Sequence, residues 1–261
     1  MKILVLSPHR GDAAFALALC LSAWLKAGHV ITILNCFSRS LEAPFSDAAF
    51  THPNDRLSYV SAMRKKEDEA FLRQLFPAKT NKLSMIDLNL KDAPVRLHCT
   101  EADVSERAVN PDDPALEKIR KALGRLREEG GVDALVLPLA LGNHVDHRTV
   151  RDAGLPGSPS LPCAFYEDLP DSTHAGVTVD LRAFHVDPAT QGYEELSPVL
   201  CVVPNAAATK RRLISRYVSQ LDETLLQAIT IFASRYDGER LWANQAWLDV
   251  HLLTPVHHPA P

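Results

Sequence analysis

Residues 1–34 read MKILVLSPHRGDAAFALALCLSAWLKAGHVITIL, and their changes of local character decide the fold. Lys2 to Ser7 is a short apolar run with the β-compatible residues Ile3, Val5 and Leu6, which predicts a strand buried on both faces. From Asp12 to Lys26 apolar residues cover nearly the whole circumference of a helix, and a helix of that kind is a buried one. Asp12 stands where an N-cap belongs, and Gly28 stops the helix. HVITILNCF, residues 29–37, gives a second strand. Strand, helix and strand in that order begin a doubly wound parallel sheet.

The rest of the chain extends this reading. Residues 38–57 lack sustained periodicity and are expected to form a long loop of the functional kind. A helix is expected over 59–76, a third strand over 84–90, and a helix opened by Asp113-Pro114 with Leu116, Ile119, Leu123 and Leu126 as its apolar stripe. DALVLPLA (133–140) is the next buried strand, and CAFYEDLP (163–170) and GVTVDL (176–181) are later candidates. Residues 207–236 read as helix in two pieces, and the Pro-rich tail from Thr254 carries His257-His258 as a chance cluster. No repeat or linker divides the chain, so residues 1–261 are expected to be a single α/β domain.

Bulk composition narrows the classes of function. Hydrophobic residues make up 46% and charged residues 23% of the 261, with a formal net charge of -4, so nothing favours nucleic acid or a polybasic membrane contact. Met1-Lys2 leads directly into the first strand without the apolar core of a signal peptide. The longest apolar run, AAFALALCLSAWL, has about 13 residues and is too short to span a bilayer. The expectation is a soluble cytoplasmic protein. Five scattered cysteines without a CxxC pair argue against a disulfide framework or a thiolate zinc cluster.

Two strand ends carry the chemistry. The first delivers His9 and Asp12; the second, after DALVLPLA, delivers His144, Asp146 and His147. In an open α/β sheet the ligand crevice lies beyond the carboxyl ends of the parallel strands, so these loops meet if both strands are central. His9, Asp12 and His147 would then offer two imidazoles and a carboxylate with an open position, a set that suits catalytic zinc and that non-haem iron also uses. Taken singly, a histidine after a strand is more often a packing residue, and Asp12 is more often only a cap. A nucleotide-binding reading fails because HRGDAAF is not G-x-G-x-x-G, and there is no GxxxxGK[ST]. An adhesion reading of Arg10-Gly11-Asp12 conflicts with its place between a buried strand and a buried helix.

ILVLSPHRGDAAF and LPLALGNHVDHRTVRDA, in that order, resemble the PHPDD-type and HxDH segments of the PIG-L/LmbE-like de-N-acetylases. MRKKEDEAFLRQL is similar to that family's Arg-rich helix, and FYEDLP and KRRLISRYVSQ resemble it less specifically. The resemblance implies a Rossmann-like three-layer sandwich with a mostly parallel central sheet. It also implies Zn2+ held by His9, Asp12 and His147, and hydrolysis of an N-acetyl group on an amino-sugar-like small molecule. By the same resemblance, His144 stabilises the oxyanion or protonates the leaving amine, Asp146 orients a histidine, and Arg64 contacts substrate. A homo-oligomer is compatible with all of this.

Gly11 departs from the pattern. The resemblance assigns the base that takes a proton from water to the first Asp of PHPDD, and that position here is Gly11; Arg10 and Ala13 also depart from the usual residues. General acid–base groups contribute about 10²–10⁴ in rate, so the site reads as metal-competent and base-deficient. Asp146, Glu167 and Asp168 are the candidates to replace the base, and Gly11→Asp is expected to raise any amidase activity. The alternative is a weakly catalytic or non-catalytic homologue that binds metal and ligand. A metal-dependent enzyme of different chemistry is the third reading. Glycine also suits a tight strand-to-helix turn on backbone grounds alone.

Overall fold

The computed structural model describes residues 1–46, 52–75, 81–155, 161–173, 181, 190, 193 and 195–255. Its strands are β1 (Lys2–Ser7), β2 (Val30–Asn35), β3 (Leu83–Asp87), β4 (Ala134–Pro138), β5 (Cys163–Tyr166), β6 (Ser197–Val202), β7 (Gly238–Ala243) and β8 (Thr254–Pro255). They form one sheet in the order β3-β2-β1-β4-β5-β7-β6-β8. The five strands from β3 to β5 are parallel, with Val5 opposite both Ile33 and Val136, and β7, β6 and β8 add an antiparallel edge.

Helices cover both faces, as the apolar runs of the inner strands require. Side chains alternate across a strand, so Ile3, Val5, Ala134 and Val136 join one core with α1 (Asp12–Lys26), α2 (Pro53–Leu75), α6 (Ala206–Ile214) and α7 (Glu223–Ser234). Leu4, Leu6, Leu135 and Leu137 join the other core with α4 (Pro114–Gly130) and α5 (Val145–Gly154). Two short helices, α3 (Ala93–Arg96) and α8 (Gln245–Asp249), complete the set of labelled helices. Eleven of the fifteen residues of α1 are buried, in agreement with its all-round apolar pattern. This is the expected three-layer α/β sandwich. Among the described residues no helix is long and apolar enough to cross a membrane.

Several expectations shift at the level of elements. The α2 helix begins at Pro53, a residue suited to a first helical turn, so the loop after β2 ends earlier than position 57. The helical region near the C-terminus breaks into α6 and α7 as expected, with Asp222 capping α7 through Leu225 N–H. The β6 and β7 strands escape a hydrophobicity reading: β6 contains Pro198, and β7 interrupts its apolar residues with Glu239 and Arg240. Pro198 is tolerated because β8 pairs only with Val199 and Leu200. The candidate strand 176–181, apart from Leu181, and the His257-His258 pair lie outside the described residues. Four of the five free cysteines are buried and Cys99 is partly so.

Glu239 points from β7 into the middle of α1, where its carboxylate accepts the Leu19 and Cys20 N–H groups and pairs with the fully buried Lys210. Removing one member of a buried pair costs about 3–5 kcal/mol because the other charge is left without compensation. Lys210→Met is therefore expected to lower the thermal midpoint by about 10 °C in circular dichroism.

Candidate metal centre and adjoining cavity

The chain moves from β1 to β2 and β3 on one side and to β4 and β5 on the other, so the strand order reverses between β1 and β4. Ligands bind at such a switch point, beyond the carboxyl ends of the strands. Here β1 ends at Ser7 and delivers His9 and Asp12, while β4 leads to His144, Asp146 and His147 at the start of α5. The β5 strand delivers Glu167 and Asp168.

Three ligand atoms converge. Asp12 Oδ2 lies 3.3 Å from His9 Nδ1 and 3.3 Å from His147 Nε2. It also accepts the His9 backbone N–H at 2.8 Å. The cap of α1 is the backbone of Gly11, and Asp12 forms no side-chain cap, so its carboxylate faces the histidines and not the helix terminus. The far nitrogen of each histidine is held from behind: His9 Nε2 by Asp146 Oδ2 at 2.9 Å, and His147 Nδ1 by Asp168 Oδ1 at 2.6 Å. Carboxylates behind imidazoles in this way fix ring orientation and raise the basicity of the ligating nitrogen. Two imidazoles and one carboxylate, with their free atoms facing one another, fit a divalent cation.

Asp146 is fully buried and has both oxygens engaged. Oδ2 also accepts Ala93 N–H at 2.7 Å, and Oδ1 accepts Arg96 Nη1 at 2.8 Å. Arg96 itself stacks on the Phe37 ring and binds Asp113. His9, His144 and Asp146 also lie close enough to form a second metal-binding group. The prior engagement of Asp146 makes that set the poorer fit.

Electrostatics follow from these contacts. Burial opposes charge on His9, but its hydrogen bonds to the Asp12 and Asp146 carboxylates outweigh it and raise its pKa to about 9. Burial works against His147 as well, and Asp12 and Asp168 raise it well above the usual histidine value. Asp12 is drawn far below the normal carboxylate range, burial being overcome by His147 and then His9. Burial would raise Asp146, but the His9 hydrogen bond and Arg96 hold it at about 2. His144 goes the other way, to about 3, first through burial and then through His9 and His147. Its Nδ1 accepts the Asp146 N–H at 3.1 Å, which leaves the ring proton on Nε2.

Of the three carboxylates considered as replacement bases, Asp146 and Asp168 are committed through both oxygens, while Glu167 is held through Oε1 alone and its buried Oε2 has no hydrogen-bond partner among the described residues. Asp146 is engaged as above; Glu167 accepts from Arg240 Nε and Trp242 Nε1; Asp168 holds His147 and accepts Leu141 N–H. Gly11 adopts φ +103°, and a Cβ there would lie 2.9 Å from Phe15 Cζ and 3.2 Å from Gln220 Oε1. Arg10, buried beside it, binds Asp68 and Asp87 and cannot present an adhesion tripeptide. Arg64 donates to the carbonyls of Arg10 and Glu42. The ligand types were legible in the sequence; Asp168 as the His147 partner and Arg96 as the Asp146 partner were not.

A cavity of about 140 Å³ adjoins the centre, with His9, His144 and Arg64 in its wall. A larger one, about 310 Å³, lies at the opposite, amino end of β1 and β2 and brings no histidine with it. Asp168→Asn is expected to weaken metal binding about 10–100-fold while leaving the ligands in place, as measured by competition with a chromophoric chelator.

No family model matches the chain. In sequence it is similar to a 2'-N-acetylparomamine deacetylase of Streptomyces fradiae, with 28% identity over 248 residues, 93% of this chain and 81% of that one. In structure it is similar to a deacetylase of teicoplanin biosynthesis in complex with teicoplanin, with a TM-score of 0.66 and 21% identity over 99% of this chain and 100% of the other. It also matches the N,N'-diacetylchitobiose deacetylase of Pyrococcus horikoshii, with a TM-score of 0.53 and 16% identity over 96% and 85% of the two chains. At these identities the structural matches speak for the fold.

Proposed function

We propose that this chain is a PIG-L/LmbE-type de-N-acetylase, a zinc-dependent hydrolase removing an N-acetyl group from an amino-sugar-like small molecule; its similarity to the 2'-N-acetylparomamine deacetylase and the fold it shares with the two solved deacetylases support the reading. The observation that carries the reading is the convergence of His9 Nδ1, Asp12 Oδ2 and His147 Nε2 at the switch point, with Asp146 and Asp168 holding the histidines from behind. His9, Asp12 and His147 would hold the ion. Zinc bound there supplies Lewis-acid polarisation of an amide carbonyl and a nucleophile at neutral pH.

The chain's own residues do the rest. His144 keeps its proton on Nε2 because Nδ1 is already accepting, so it offers a neutral hydrogen bond to the oxygen that gains charge. That role suits its lowered basicity better than standing as an imidazolium beside His9 and His147. Asp146 positions His9 and, through its backbone N–H, His144. Arg64 lines the cavity together with His9 and His144. His144→Ala is expected to lower kcat about 10²–10³-fold with metal content unchanged, which separates it from the ligands.

No carboxylate occupies position 11, and Phe15 and Gln220 stand where its side chain would go. That observation favours slow turnover, and it supports the second reading of a ligand-binding homologue with little or no activity. The deciding experiment incubates zinc-loaded protein with 2'-N-acetylparomamine and with N,N'-diacetylchitobiose and measures acetate and free amine. Release of both in equal amounts, lost on chelation and regained with zinc, is the expected result. No release over days from either compound would leave the ligand-binding reading in its place.

A further inference from the structure

Arg10 stands between His9 and Asp12, at one of the positions that depart from the usual residues, and is only 4% exposed. Its Nη1 donates to Asp68 Oδ2 at 3.2 Å and its Nη2 to Asp87 Oδ2 at 2.6 Å. Asn35 Nδ2 joins the two carboxylates, donating to Asp68 Oδ2 at 3.2 Å and to Asp87 Oδ1 at 3.1 Å. The Tyr217 hydroxyl donates to the remaining oxygen, Asp68 Oδ1, at 2.9 Å. Both carboxylates are thereby engaged through both oxygens. The guanidinium lies where the last residues of β2 and β3 meet α2.

The same residue is fixed through its backbone, since its carbonyl accepts Arg64 Nη2 at 2.8 Å. Within the turn, Ser7 Oγ donates to the His9 carbonyl and accepts Ala13 N–H, and Asp12 Oδ2 accepts His9 N–H. Glycine enters many backbone regions, so Gly11 gives this turn no stiffness of its own. Stiffness has to come from what the turn is tied to. A buried ion pair is weak evidence for a stability role, because well-packed apolar side chains often serve a core as well. An apolar side chain at position 10 would have no direction, whereas the planar guanidinium reaches two carboxylates at a fixed spacing.

Resting on the reading of His9, Asp12 and His147 as ligands, we propose that Arg10 is a positioning residue of the metal centre. Its clamp between Asp68 and Asp87 holds the turn in the form that presents His9 and Asp12 to the ion. Ligands set in place beforehand lose little freedom on binding, and a loosened turn lowers affinity by the ordering it then requires. Arg10 acts through the turn and not on the ion. Burial lifts the Asp68 carboxyl to about 7 against the opposing pull of Arg10, Tyr217 and Arg64. Without Arg10 that carboxyl takes up a proton and does not remain a stranded charge, which spares the fold part of the cost.

The test compares full-length wild type with Arg10→Gln and with a neutral variant, Arg10→Met combined with Asp68→Asn and Asp87→Asn. The neutral variant strands no carboxylate and carries the test where Arg10→Gln loses the fold. Lys210→Met, which breaks a buried ion pair away from the turn, is the control. In metal-free protein, hydrogen–deuterium exchange over residues 7–15, read by mass spectrometry, is expected to quicken at least about tenfold in both Arg10 variants. Zinc affinity, measured by competition with a chromophoric chelator, is expected to fall about tenfold in both, the lower end of the cost of losing an outer partner. Lys210→Met is expected to lose thermal stability yet keep its zinc affinity within about twofold. Exchange over 7–15 unchanged from wild type, or an affinity that falls no further in the Arg10 variants than in Lys210→Met, overturns the proposal. Faster exchange in the variants of a protein that takes up no zinc even as wild type sinks the metal reading and leaves Arg10 as the tether of the turn. Zinc held equally tightly by wild type and both Arg10 variants sinks the positioning role and leaves the metal reading standing.

Discussion

His147→Ala is expected to reduce bound zinc from about one ion per chain to a small fraction of that, and to abolish measurable acetate release. Two protein ligands in place of three would remain, and structural or catalytic zinc is ordinarily held by at least three. The loss should exceed the roughly 10–100-fold cost of removing an outer partner such as Asp168. The substitution also strands Asp168, which is 1% exposed and among the described residues keeps only the Leu141 N–H. Elemental analysis of purified protein measures the effect directly, with circular dichroism to confirm the fold. Full metal occupancy in the alanine variant would place the ion elsewhere and remove the foundation of the hydrolase reading. His147→Gln, of closer shape, guards against a loss that merely reflects unfolding.

The parts of the molecule legible in the sequence are those in which one residue pattern has a single physical solution. An all-round apolar helix between two apolar strands must be buried, and β1, α1 and β2 follow from that. His9, Asp12 and His147 could be nominated because both segments follow core strands, and the geometry then faces their free atoms toward one another. Less legible was what stands behind them. Asp168 is 21 residues from His147, and the sequence offered it as a replacement base at a strand end, with nothing to pair it with that histidine. Arg96 lies in residues 91–113, where short turns and a four-residue helix leave no periodicity to read. Asp12 shows the limit from the other side. A carboxylate at a helix start is ordinarily a cap, and only the His9 and His147 contacts reveal that this one points away from the helix terminus.

The backbone at Gly11 reverses one expectation. On residue type alone, Gly11→Asp restores the missing base and raises activity. The structure holds Gly11 at φ +103° and ψ -34°, a region that side chains rarely enter, at a strain cost of about 1–3 kcal/mol. The new Cβ would press on the Phe15 ring, which packs edge-on against Tyr217, and on Gln220, which donates to Glu67. Neither neighbour is free to swing aside without disturbing a buried contact. Gly11→Asp alone is therefore expected to lower the thermal midpoint by about 5–10 °C with no gain in kcat. Phe15→Ala costs about 3–5 kcal/mol as a core truncation, yet it opens the space that the aspartate needs. If base loss limits the rate, Gly11→Asp in the Phe15→Ala background raises kcat above Phe15→Ala alone, by as much as about 10²-fold, with metal content constant. A single Gly11→Asp variant that folds normally and gains activity would show that the turn relaxes into the backbone form an aspartate prefers. Glycine at position 11 would then be a dispensable feature of the turn, and the missing carboxylate the whole of the deficit.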